Sequence, residues 1–171
     1  MDYIAEPLSR QNLRELAKII RTKLKINTLF FPVVELLDVL SRMFEKFNYE
    51  IVEDSNMPKD VHADTNSVTG HIRIRQSVYD NACAGNGRDR MTIVHEIAHF
   101  FLICLCGYKF QRNFTGKTVE AYRNPEWQAK CLAAELMIPN DAVIKLNLNP
   151  SQIERICGVS KAAAEYQYTK L

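Results

Sequence analysis

The sequence predicts an α+β fold, a mainly helical single domain with a small sheet of about three strands beside one apolar helix. Three observations lead there. Several stretches repeat apolar residues three and four apart, the helical period. Two short stretches between residues 48 and 79 alternate apolar and polar residues, the period of a half-buried strand. The 171 residues suffice for one hydrophobic core, with too little chain left for a second large one. The expected order is N-terminal helices over 1–48, the sheet and the central helices over 49–139, and a helical tail over 140–171.

The first helix is read over residues 10–25, "RQNLRELAKIIRTKLK", where Leu13, Leu16, Ala17, Ile20 and Leu24 share a face. Arg10, Arg14, Lys18, Arg21 and Lys25 lie largely around the rest. That basic face suits an acidic partner or nucleic acid or, more simply, solvent. Pro32 opens a second helix in "FPVVELLDVLSRMFEKF", since proline is tolerated in a first turn. "NYEIVED" and "GHIRIRQSVY" then alternate as strands, with Ile72 and Ile74 opposed to His71, Arg73 and Arg75. Asp64 to Gly70 supply turn residues, and "NACAGNGRD" reads as a loop.

Asp89 is the expected cap of the next helix, which runs to Cys106 and stops at Gly107. Residues 107–123 form a long aromatic-rich connection. Asn124 as cap and Pro125 in the first turn start another helix, ended by Pro139. Two short helical patterns, 150–157 and 160–169, hinge at "GVS".

Composition narrows the function. The 22 Lys and Arg against 20 Asp and Glu leave a net charge of +2, too small to point to a polyanion partner. No apolar run is long enough to span a bilayer, and residues 1–30 lack the order of a secretory signal. The five cysteines are odd in number and form no CxxC pair, so they read as reduced thiols. Cys104 and Cys106 would point about 200° apart on a helix, a poor start for a metal site. A cytoplasmic protein without membrane contact is expected.

The chemistry concentrates in "RMTIVHEIAHFFLICLC", residues 90–106. His95, Glu96 and His99 spell H-E-x-x-H. Four residues turn a helix by about 400°, so both imidazoles can converge on one ion. Glu96, displaced by about 100°, stands beside that ion, where it can take a proton from water. Burying three polar groups among Ile93, Val94, Ile97, Ala98, Phe100 and Phe101 without partners would cost several kcal/mol. A divalent cation satisfies them together. A catalytic zinc needs a third protein ligand, and Glu120, Glu126, Glu135 and Asp141 are on offer downstream. Glu126 suits best, because a cap and a proline fix its direction in a first turn that favours a carboxylate. Glu135 lies about 900° further round and faces the other way.

"RDRMTIVHEIAHF" followed by "YRNPEWQAKCLAAELMIP" resembles the ImmA/IrrE family of bacterial zinc metallopeptidases, over about Gly70 to Pro139. The resemblance implies a zincin-like fold, Zn2+ on His95, His99 and Glu126, and Glu96 as general base. It departs at Val94, Leu132 and Lys130; an acid or amide is frequent at Lys130's position and would support a ligand. The implied activity is hydrolysis of a peptide bond, in a helix-turn-helix transcriptional repressor or similar regulator bound as protein substrate. The competing reading is a metal-containing, non-proteolytic module that binds a repressor or toxin.

A second donor to the developing oxyanion would be needed, and His71, Tyr122, Arg88 and Arg90 are candidates. The strand Ile72 to Arg75 could pair with an extended substrate, or lie inside the sheet. The tail, with only Lys161 and Lys170 as cations in its last helix, reads as packing rather than as a DNA reader.

Overall fold

The computed structural model describes residues 3–105, 107, 111–112 and 118–171. Its α+β architecture has eight α-helices among these residues, with a three-stranded mixed sheet and a two-stranded ribbon. Strand β1 (Tyr3–Ile4) starts the chain and pairs antiparallel with β5 (Gln111–Arg112). Helix α1 (Arg10–Lys23) begins at Ser9, whose side chain accepts from the Asn12 backbone while Asn12 caps the Ser9 N–H in return. It buries Leu13, Ala17 and Ile20. Helix α2 (Val33–Met43) follows Pro32 and buries Val33, Leu36, Leu37 and Leu40, the three-and-four spacing of its sequence.

The sheet has the order β2-β4-β3, from β2 (Asn48–Val52), β3 (Ala63–Thr65) and β4 (His71–Arg75). β2 runs parallel to β4, and β3 antiparallel. Ile72 and Ile74 are buried, as their alternation requires. One reading needs correction: Asp64 and Thr65 belong to β3, not to a turn. Of the two readings left open for the next strand, the interior one holds, since β4 is the central strand with both edges paired. It therefore has no edge to offer a substrate. Sequence alternation continues past Arg75, yet Gln76–Cys83 form helix α3, burying Val78 and Ala82 four residues apart on one face.

Helix α4 (Gly87–Phe100) carries the H-E-x-x-H stretch and buries Ile93, Val94, Ile97, Ala98 and Phe100 completely. Its cap is Asn86, which accepts from the Arg88 and Asp89 N–H groups; Asp89 sits inside the first turn. The helix loosens into a π-helical segment, Phe101–Leu105. Gly107 has the left-handed φ of +69° expected of it. Cys106 and most of 108–117 lie outside the described residues.

Helix α5 (Pro125–Met137) starts at Asn124, which accepts from the Glu126 and Trp127 N–H groups. It is followed by α6 (Asn140–Lys145), which no sequence pattern announces, and by α7 (Pro150–Cys157) and α8 (Lys161–Tyr168). Gly158 ends α7 at a φ of +62°, where a side chain would be strained. Gly87 brings the start of α4 against the Val159 and Ser160 backbone, in space a Cβ would need.

Polar side chains bolt these elements together. Buried Arg90 donates to the carbonyls of Phe31 (2.6 Å), Cys157 (3.1 Å) and Gly158. Buried Glu135 accepts from Arg14 at 3.0 and 3.1 Å and from Arg10 at 3.3 Å. The cationic face of α1 is thus spent largely inward, on α5, instead of facing solvent or a polyanion.

Replacing Arg90 with leucine leaves three carbonyls without their donor, and urea denaturation should show a loss of about 3 kcal/mol or more. Burial pushes the Cys131 and Cys157 thiols from an ordinary 9.0 up to about 11, whereas Cys83 is exposed. At pH 8 a disulfide reagent should label Cys83 in the native protein and spare Cys131 and Cys157 until denaturant is added. Stability from keeping these thiols neutral is complete below about pH 9 and is lost as the pH rises through 11.

Candidate metal centre

Helix α4 presents His95 and His99 one turn apart, and the first turn of α5 presents Glu126 to the same point. His95 Nε2 and His99 Nε2 lie 3.2 Å apart. Glu126 Oε2 is 3.2 Å from His95 Nε2, and its Oε1 is 3.2 Å from His99 Nε2. These three residues form the group able to hold a metal ion among the described residues. The imidazole planes stand 84° apart, with both Nε2 atoms turned to the carboxylate.

The donor set fits a tetrahedral cation. Bonds of about 2.0–2.1 Å, the zinc–nitrogen range, give a tetrahedron with edges of about 3.3 Å. The observed 3.2 Å edges match that triangle. His99 is buried and His95 half-buried, while the Glu126 side chain is 63% exposed, so the site opens on the carboxylate side. Hydrogen bonds to His95 and then His99 hold the Glu126 carboxyl well below the usual carboxylate range. An ionised carboxylate facing two imidazoles is the donor chemistry of a divalent-metal site.

Glu96 is buried beside this group. Its Oε2 accepts from Thr65 Oγ1 at 2.6 Å, with the Glu96 carbonyl a weaker partner at 3.3 Å. Oε1 has no hydrogen bond among the described residues. Thr65 is not legible in the sequence, because its strand, three residues long, is too short for alternation to register. Gln128 carries no sequence signal either: fully buried on α5, it donates to the Glu6 carbonyl at 2.7 Å and the Tyr122 carbonyl at 2.8 Å. It fastens the N-terminal strap and the turn Ala121–Arg123 two residues along α5 from Glu126.

The other sequence candidates scatter. Arg90 is buried with its donors occupied by backbone carbonyls, so it is removed as an oxyanion donor. His71 faces β2, with Nδ1 2.7 Å from Asn48 Oδ1 and Nε2 3.2 Å from Glu50. Tyr122 is exposed and donates to the Glu120 carboxylate, which raises its phenol pKa. Arg88 is exposed and lines a cavity that His95 also lines, as does Lys130. Glu135 lies away from the metal group, bound to α1, and Asp141 pairs with Lys18 at 2.8 Å.

No curated protein matches the chain. A solved structure described as a Mycobacterium tuberculosis transcriptional regulator is similar, with a TM-score of 0.61 at 13% identity. The match covers 92% of this chain but 55% of that one, so this chain spans about half its length and the likeness is one of fold. The family model for the IrrE N-terminal-like domain, Peptidase M78, matches residues 44–170, from the end of α2 through α8, and the chain belongs to that family.

Proposed function

We propose that this metallopeptidase-family chain is a zinc-dependent endopeptidase that hydrolyses a peptide bond in a protein substrate, with His95, His99 and Glu126 as ligands. The observation that carries the reading is the triangle of donors at 3.2 Å with a buried carboxylate beside it. Bound there, zinc would supply Lewis acidity, lowering the pKa of water and polarising a carbonyl.

The protein's own groups do the proton work. Thr65 holds one oxygen of the Glu96 carboxylate and leaves Oε1 to act as base. Glu96 takes a proton from the attacking water and passes it to the amine that departs when the C–N bond breaks. Apolar neighbours on α4 keep bulk water from the base.

The sheet supports a place for the substrate. β3 is an edge strand, and its hydrogen bonds to β4 alternate: the His62 carbonyl accepts from Arg75 and the Asn66 N–H donates to His71. The backbone groups of Ala63 and Thr65 therefore face outward, beside Glu96. An extended peptide can add there as a strand, which presents its carbonyls along the metal group. A regulator with a helix-turn-helix domain is the proposed substrate, in keeping with the ImmA/IrrE resemblance and with the similar Mycobacterium tuberculosis structure being a transcriptional regulator. The packing of α1 on α5 supports treating residues 1–171 as one domain, and we assign it to the cytoplasm. No helix of the described residues is long and apolar enough to cross a membrane.

Purified protein should carry zinc stoichiometrically by metal analysis, and His99→Ala should not; parent protein that never takes up zinc would sink this reading. Glu96→Gln should keep the metal and lose about 10²-fold or more in cleavage of a co-expressed repressor. Relief of repression by Glu96→Gln equal to the parent's would instead favour a binding module. Thr65→Val should leave zinc content unchanged while lowering kcat about tenfold, measured with any cleaved peptide.

A further inference from the structure

A cavity of about 530 Å³ opens beside the metal group, between α4, α5 and α8. His95 forms part of its wall, and Met91, Trp127 and Tyr166 are among its apolar lining. The volume falls in the range of about 300–1,000 Å³ typical of pockets that bury a ligand. Its charge is one-sided. Arg88 and Lys130 line it, both are exposed, and neither side chain has a hydrogen bond or ion pair among the described residues. The third cation of the lining, Arg10, is committed to Glu135, and among the described residues no aspartate or glutamate lines the cavity.

We infer that this cavity is the specificity subsite of the proposed peptidase, which takes a large apolar side chain of the substrate and draws in flanking carboxylates with Arg88 and Lys130. The inference rests on the proposed peptidase reading, since it makes the occupant a peptide reaching from the metal group. Position and charge point to that occupant. The His95 wall joins the cavity to the reacting centre, so a substrate side chain entering it anchors the chain next to the scissile bond. The apolar lining gains by covering a large side chain, and two unpaired cations at one cavity select an acidic neighbour over a basic one.

Trp127, the chain's single tryptophan, reports directly on occupancy. The test titrates the zinc-loaded Glu96→Gln variant, which binds without turnover, with three blocked hexapeptides. One has a leucine–phenylalanine pair flanked by glutamates, one has the same pair flanked by lysines, and one has glutamates flanking two glycines. Decanoate serves as a non-peptide acid. The first peptide should shift Trp127 emission and bind about tenfold tighter than the other two, with affinity falling as salt rises. Arg88→Gln and Lys130→Gln, both surface changes, should each weaken it about fivefold with the fold unchanged by circular dichroism.

Equal affinity for the lysine-flanked peptide, indifference to both substitutions, or a response to decanoate alone would overturn the subsite. Cleavage by the parent protein separates the two readings. Hydrolysis of all three peptides at equal rates keeps the peptidase and overturns the subsite. Charge-selective binding of the first peptide with no hydrolysis of it keeps the subsite and counts against the peptidase.

Discussion

The structure depends on the docking of α4 against α5, because that contact alone brings His95 and His99 to Glu126. The three donors come from residues as far as 31 apart in sequence yet meet at 3.2 Å. Donor atoms this close, two of them buried or half-buried, are held against mutual crowding only where the helices behind them are packed solidly. The completely buried Ile93, Val94 and Ile97 on α4 and Ala129 and Leu132 on α5 supply that packing. Misplacing either helix by about an ångström would open the triangle beyond what one small cation spans.

Each helix is then fixed from outside the site. α4 is fastened by Arg90, which satisfies carbonyls at the start of α2 and at the end of α7, so the tail is tied to the same helix that carries the histidines. α5 is fastened by Glu135, which draws Arg10 and Arg14 of α1 onto it, and by Gln128, which holds the chain just ahead of Glu126. These buried polar groups are costly unless paired, and most of their polar atoms are paired. Charged side chains that a linear reading sends to solvent thereby serve as internal struts, while Arg88 and Lys130 stay unpaired at the surface among the described residues.

Glu96 and Glu126 show how environment separates two carboxylates in one site. Glu126 is exposed and faces two imidazoles, which favour its ionised form. Glu96 is buried and accepts at one oxygen from the Thr65 hydroxyl. The difference arises from β3, a strand of three residues that lies against α4 and delivers Thr65.

The sequence by itself determined the α+β class, the helical faces, and the pairing of His95 with His99, because these follow from residue period along one element. It also determined the direction of Glu126 and the opposite direction of Glu135, since a cap, a proline and about 100° per residue are local facts. What lay in few residues was illegible: the three-residue strand β3 at Asp64 and Thr65, the short helix α6, and the switch to helix at Gln76. There the pattern is too brief for periodicity, and tertiary burial chooses the state. Only the tertiary structure decided the order β2-β4-β3, which put β4 inside the sheet and β2 and β3 at its edges. It alone turned Arg90 from a candidate oxyanion donor into a strut, since its three carbonyl partners lie 59 to 68 residues away in the chain.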